Sequence, residues 1–335
     1  MDVAPLYDDV ADGPAGGRAF WLRTADGVRI RLGHWPHMAP DAAQDTAQEA
    51  VKGAAKGTVL LFPGRTEYVE KYGRAAADLA QRGFATLAID WRGQGLADRL
   101  IADHRIGHVG RFTDYQHDVA AMVQAAKALD LPRPYYLLAH SMGGCIGLRA
   151  SMEGLPVAAC AFTGPMWGIQ MAAATRPAAW ALSWSSARLG FGHHLAPGTK
   201  AETYVLAEPF DDNSLTRDAQ MFAYMQRQMT SHPDLALGGP SLRWLNTALV
   251  EMAHLARRPA PSQPCLTYLG SHERIVCPDR IIARMSSWPE GRLDMVQGGE
   301  HEVMMDTPAT RALVFDGIAA HFAAHPACVT SRQSA

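Results

Sequence analysis

From residue 57 onward, short runs that are apolar at nearly every position alternate with longer stretches whose apolar residues return every three or four places. Residues 58–62 (TVLLF), 84–89 (FATLAI), 135–139 (YYLLA), 157–162 (VAACAF), 265–269 (CLTYL) and 293–296 (LDMV) have the length and composition of buried strands. Residues 71–82, 112–129, 145–152, 279–285 and 308–324 carry helical spacing between them. Strands apolar on both faces, separated by helices, predict the α/β class, with a mostly parallel central sheet covered by helices on both sides. Upstream, residues 19–35 alternate around Asp26-Gly27, which predicts a β-hairpin.

Two segments break this rhythm. Residues 1–17, rich in Asp, Gly and Pro, read as a loose lead-in, and the Ala- and Gln-rich residues 40–56 read as surface chain or a short solvated helix. Residues 166–258 are rich in Ala, Met, Trp and His, mostly helical in pattern, and contain no convincing buried strand; RRPAPSQP at 257–264 then reads as an exit linker. The expected organisation is a core of residues 18–165 and 265–328 interrupted by a helical cap or lid over 166–264.

Bulk composition narrows the function classes. The chain has 335 residues, 48% apolar and 19% charged, enough for a large core and too apolar for disorder. A net charge of −2 leaves no electrostatic footprint for nucleic acid. The five cysteines, Cys145, Cys160, Cys265, Cys277 and Cys328, form no CxxC pair and read as free thiols of a reducing compartment. The acidic first residues lack the apolar core of a signal peptide, and no run reaches the ~18 apolar residues of a spanning helix. These readings predict a cytoplasmic protein, with peripheral contact at the inner face of a membrane left open; they do not address oligomeric state.

The chemistry centres on Ala139-His140-Ser141-Met142-Gly143, which lies between a predicted strand and a predicted helix. It matches the nucleophile-elbow pattern G-x-S-x-G of α/β-hydrolases with Ala139 in place of the first Gly. A sharp strand-to-helix reversal needs small neighbours, and it exposes the serine Oγ at a helix N-terminus. A serine hydroxyl is a weak nucleophile that needs a general base and a group to orient it. His301, in Gly298-Gly299-Glu300-His301 after the last strand, is the candidate base. Glu273, after the strand 265–269, is the candidate acid, with Asp279 as its competitor. All three positions follow strands, at the rim where open α/β sheets collect their functional groups. Backbone N–H groups of Arg65, in Pro63-Gly64-Arg65, and of Met142 are the candidate oxyanion donors. In the cap, Trp167, Met171, Trp180, Met221 and Met225 are candidate substrate-lining residues, because methionine adapts to flexible chains. Trp180 and Trp184 offer an alternative role on a membrane-facing surface. This scheme calls for no metal and no cofactor.

With these residues in place, the chain resembles the monoacylglycerol lipase and bacterial lysophospholipase branch of the α/β-hydrolases, which is grouped with serine aminopeptidase-type hydrolases. The resemblance runs through Phe62-Pro63-Gly64, Asp90-Trp91-Arg92-Gly93-Gln94-Gly95, Phe112 with Tyr115 and Asp118, and the AHSMGG block ending at Gly144. It continues through Asn213-Ser214-Leu215-Thr216-Arg217-Asp218 and Leu237-Gly238-Gly239-Pro240 in the insertion, and through the segments of Glu273 and His301. It implies the α/β-hydrolase fold and hydrolysis of single-chain lipid esters in an apolar tunnel under a helical cap. Three departures bear on substrate: Pro63 stands where the family has His, Arg65 where a small residue is frequent, and Glu273 where Asp is usual. A small-ester carboxylesterase, an aminopeptidase using acidic cap residues such as Glu202, Glu208, Asp211 and Asp212, an acyltransferase and a non-catalytic lipid receptor are the alternatives.

Overall fold

The computed structural model describes residues 1–37, 55–172 and 174–326; most of the 40–56 segment and Cys328 lie outside the described residues. Chain order is β1 (Asp2–Ala4), α1 (Asp8–Ala11), β2 (Arg18–Arg23), β3 (Arg29–Trp35), β4 (Gly57–Phe62), α2 (Gly73–Gln81), β5 (Phe84–Asp90), α3 (Tyr115–Ala128), β6 (Tyr135–His140), α4 (Met142–Met152) and β7 (Cys160–Thr163). Then follow α5 (Arg176–Arg188), α6 (Tyr204–Ala207), α7 (Ala219–Ser231), α8 (Leu242–Leu255), β8 (Cys265–Gly270), α9 (Pro278–Ser286), β9 (Gly291–Val296) and α10 (Pro308–Ala324).

Among the described residues, nine strands form one sheet in the order β1-β2-β3-β5-β4-β6-β7-β8-β9. The β2–β3 hairpin turns at Asp26-Gly27 and joins β5 antiparallel, whereas β5 through β9 run parallel. Strand order reverses between β4 and β6, so the loops after these two strands lie side by side at the switch point. Alternation along the central strands feeds two cores. Leu60, Phe62, Leu137 and Ala139 pack under α3, α4 and α9, while Val59, Leu61, Tyr136 and Leu138 pack under α2 and α10.

The first residues depart from the loose lead-in expected of them. β1 pairs with β2, Val10 and Ala11 are buried, and Tyr224 and Gln228 of α7 donate to the Ala11 and Val10 carbonyls. Asp and Gly in this segment serve a turn and a cap rather than disorder; their composition resembles that of a linker, but their partners come from the insertion.

The segment Asp90–Gly95 is explained by buried charge. Arg31, fully buried, donates to Glu70 at 2.7 and 2.6 Å and to Asp90 at 2.7 Å, and Asp90 also accepts from the Val69 and Leu96 N–H groups. Gly95, at φ +54°, is pressed so close that a Cβ would lie 2.2 Å from the Asp90 carboxyl carbon. Arg92 bridges Asp26 of the hairpin turn to Asp118 of α3. Burial pushes the Asp118 carboxyl up to about 6 although Arg92 opposes it. Replacing Arg31 by Met keeps the aliphatic bulk but strands two buried carboxylates. Urea unfolding of Arg31→Met is expected to show a loss of about 3–5 kcal/mol.

Candidate active site

Ser141 sits at the end of β6 with φ +49° and ψ −117°, a strained conformation for a non-glycine residue. The turn is held from three sides. Ser141 N–H donates to the Thr163 carbonyl at 3.1 Å, and the Ser141 carbonyl accepts from Gly144 at 2.9 Å and Met166 at 2.8 Å. The small residues around it are sterically required. A Cβ on Gly143 would lie 2.1 Å from the Phe62 carbonyl oxygen, and one on Gly144 would lie 2.5 Å from the Pro165 side chain. Ala139 is wholly buried between Phe62 and Phe162 in the sheet, where a methyl group fits.

His301 and Glu273 arrive from the carboxyl ends of β9 and β8. The His301 Nδ1 lies 2.7 Å from Glu273 Oε2, and both side chains are buried. With its proton on Nδ1, the imidazole presents a free lone pair on Nε2. The other Glu273 oxygen accepts from the Ile275 and Val276 N–H groups at 2.7 and 3.0 Å. Burial alone would raise the Glu273 carboxyl, but His301 and these two N–H groups hold it below its ordinary value. Asp279 lies in the first turn of α9 instead. Glycine at 164 completes the arrangement, since a Cβ there would crowd His301 Nδ1 at 3.0 Å.

The loop after β4 is equally constrained. Trp91 Nε1 donates to the Pro63 carbonyl at 2.9 Å, Gln94 donates to the Gly64 carbonyl at 2.8 Å, and the Gly64 N–H donates to the Glu67 carboxylate. Thr66 follows at φ +67°. The backbone N–H groups of Arg65 and Met142 donate to no acceptor among the described residues. Ser141, Arg65 and His301 all border one cavity of about 500 Å³.

Beneath the cavity lies a charged cluster that the sequence reading missed. Lys71 Nζ donates to Glu67 at 2.6 Å and to Glu302 at 2.5 Å, and Tyr72 donates to Glu67 at 2.5 Å. His140 Nε2 lies 3.4 Å from Glu302, its Nδ1 is 2.9 Å from both the Thr163 carbonyl and hydroxyl, and its ring rests 4.7 Å from that of His301. Burial would lower Lys71 and His140, yet the two carboxylates keep both above their ordinary values. Burial would raise Glu302, yet Lys71 and His140 hold it well below. Glu67, His140 and Glu302 offer ligand atoms within 4.8 Å of one another, a grouping that could bind a metal; the Lys71 ammonium already takes up one oxygen of each carboxylate. The available signals were the i, i+4 spacing of Glu67 and Lys71 and the adjacency of Glu302 to His301.

The insertion between β7 and β8 contributes most of the cavity wall, and here several expectations need correction. Met171 and Met225 line the cavity, but Trp167, Trp180 and Met221 do not. Trp167 donates to the Gly144 carbonyl at 3.1 Å and packs on Phe162 and Trp288. Trp180 packs against the core on the α4 side, and Met221 is buried in a separate cluster with Tyr68 and Phe222. Helical spacing of large apolar side chains marks a buried face without saying what buries it. Ile169, Met229, Trp244 and Leu245 line the cavity instead, with Ile275 and Val276 from the core.

The buried charges make stability depend on pH in both directions. The contributions of Glu273 and Glu302, whose folded-state values are depressed, are complete above the ordinary carboxyl value of about 4.3 and are lost as pH falls through the lower folded values. The contribution of His140, whose folded-state value is raised, is complete below about 6.5 and is lost as pH rises through the raised value. Thermal unfolding scanned from acid to alkaline pH is expected to give a dome whose alkaline decline flattens in His140→Gln; an unchanged decline would contradict this assignment.

Comparison with known proteins agrees with this architecture. The family model described as serine aminopeptidase, S33, matches residues 53–308. Lysophospholipase L2 of Escherichia coli (strain K12) is 34% identical over 276 residues, covering 80% of each chain, and the probable lysophospholipase L2 of Haemophilus influenzae is 25% identical over 262 residues, covering 78% of this chain and 82% of that one. In fold, a soluble variant of the Saccharomyces cerevisiae monoglyceride lipase, solved with a substrate analogue, superposes with a TM-score of 0.70 at 19% identity, covering 91% of this chain and 94% of that one. The chain belongs to the serine aminopeptidase S33 family of α/β-hydrolases.

Proposed function

We propose that the protein is a serine hydrolase that cleaves carboxylic esters of single-chain lipids through an acyl-enzyme on Ser141. The observation that carries this reading is the conjunction, on one largely apolar cavity, of a serine in a strained turn and a histidine whose Nδ1 is 2.7 Å from a buried carboxylate. In the proposed reaction Ser141 Oγ attacks the ester carbonyl and His301 Nε2 takes its proton. Glu273 holds the imidazole in that tautomer and stabilises the imidazolium. The Arg65 and Met142 N–H groups receive the oxyanion. His301 then protonates the departing alcohol and activates the water that releases the acid.

Three features support a lipid ester as substrate. Relatives 34% and 25% identical to this chain carry the name lysophospholipase, and a structural neighbour is a monoglyceride lipase. The cavity is of a size that accepts extended ligands, and Met166, Ile169, Met225, Met229 and Leu245 make its wall apolar. Exposed Leu182, Trp184, Leu189 and Phe191, on α5 and the turn after it, support transient contact with a membrane surface.

An aminopeptidase needs an acidic group free to bind a substrate α-amino group. The acidic residues lining the cavity, Glu67 and Glu302, are both bound to Lys71, while Glu208 and Asp212 pair with Lys200 and Arg274. The ester reading is therefore favoured over the peptidase reading.

Hydrolysis of p-nitrophenyl esters is expected to rise with acyl length and to fall by about 10⁴-fold or more in Ser141→Ala. Turnover confined to acetate and butyrate would replace the lipid reading by a small-ester one, and failure to react with a fluorophosphonate would favour a receptor. Glu273→Gln is expected to lower kcat by about 10⁴-fold with KM little changed, whereas Asp279→Asn keeps near-wild-type kcat. Steady-state kinetics on one long-chain ester checks both.

A further inference from the structure

Among the described residues, the cavity is bordered by Arg65 and Lys71, two cations with very different surroundings. Lys71 is neutralised by two carboxylates. Arg65 has no acidic partner: its Nη1 donates to the Gly238 carbonyl at 2.8 Å, its guanidinium carbon lies 5.7 Å from the centre of the Trp244 ring, and no ion pair involves it among the described residues. One neutral carbonyl and one aromatic face leave most of its N–H donors unused. The nearby Glu67 carboxylate is occupied by Lys71, Tyr72 and the Gly64 N–H. Burial lowers Arg65 to about 10, which still leaves it charged at neutral pH. A half-buried cation without a counterion leaves part of its desolvation uncompensated, and an anionic ligand relieves that cost. A planar guanidinium suits a phosphate in particular, because it can donate two parallel hydrogen bonds.

The placement of this charge relates it to the reacting bond. The same residue carries a candidate oxyanion N–H on its backbone and a guanidinium without an acidic partner on its side chain, and it borders the cavity that Ser141 and His301 also border. In a single-chain phospholipid the phosphate is one glycerol unit away from the ester carbonyl, whereas a monoacylglycerol has a hydroxyl there.

We propose that the Arg65 side chain, backed by Trp244 and anchored to the Gly238 carbonyl, is the phosphate-binding group of a headgroup subsite, so that the protein favours lysophospholipids over neutral monoacylglycerols. This deepens the reading of the site as a single-chain lipid esterase and rests on it. Arg65 acts here as a specificity determinant through its side chain, apart from its backbone role.

The test compares kcat/KM for lysophosphatidylcholine and for a monoacylglycerol of the same acyl chain in the wild type, Arg65→Lys and Arg65→Met. Both variants can disturb the adjoining loop and slow both substrates, so the readout is the ratio. The phosphate-to-neutral ratio is expected to fall by about 10–100-fold in Arg65→Met, the range for losing a charged hydrogen bond, and less in Arg65→Lys. An unchanged ratio with both rates lowered would make Arg65 a structural tie to Gly238 and overturn the proposal.

A second measurement needs no variant. Against hydrolysis of a p-nitrophenyl ester, submicellar dodecylphosphocholine is expected to compete at least about tenfold better than a neutral dodecyl glyceryl ether. Equal inhibition would overturn the subsite. A wild type that hydrolyses neither lipid yet shows this inhibitor preference would refute the lipid-esterase reading while supporting the phosphate subsite, so the two failures are distinguishable.

Discussion

The close approach of α4 to the ends of β4 and β7 is the constraint on which the rim of the molecule depends. Gly143 and Gly144 let the first turn of the helix lie against the Phe62 carbonyl and against Pro165, distances that no larger residue permits. That contact places the helix N-terminus beside the loop from β4 and leaves Ser141 in a backbone conformation the chain would not choose locally. The strain is sustained because β6 lies in the middle of the parallel sheet and is hydrogen-bonded on both sides, so relaxing one residue would disturb two strand pairings.

A second layer of order comes from charge buried beneath this turn. Glu67 holds the Gly64 N–H, Lys71 joins Glu67 to Glu302, and Glu302 is the residue after His301. His140, immediately before Ser141, faces both the Glu302 carboxylate and the His301 ring. The loops bearing the candidate oxyanion donor, nucleophile and base are thus linked through one desolvated network. Such a network is strong only when complete, because removing one member leaves the others buried and uncompensated.

The insertion has two roles that its composition does not separate. α8 buries Ala248, Leu249 and Met252 against the α4 side of the core while Trp244, at its start, also reaches the cavity. α7 buries Met221 and Phe222 with Tyr68, yet turns Met225 and Met229 toward the cavity. Its tie to the first residues, through Tyr224 and Gln228, gives order to a segment that composition alone marks as loose.

Local pattern determined the strands from β2 to β9, the core helices, the parallel sheet and the small-residue turn at Ser141, but not β1 or α1, because periodicity and steric need act within a few residues. It also marked Glu273 and His301 as rim positions, since each follows a strand. Tertiary structure decided what depends on elements distant in sequence. It placed Glu273 rather than Asp279 against the imidazole, because the chain after β8 turns back toward β9 before α9 begins. It sorted the cap's methionines and tryptophans into core and cavity wall, a distinction invisible to helical spacing. It also joined Glu67, Lys71, His140 and Glu302, residues from three separate segments, and left Arg65 without a counterion among the described residues. The balance of a buried charge depends on every group folded against it, and that sum exists only once the chain is closed.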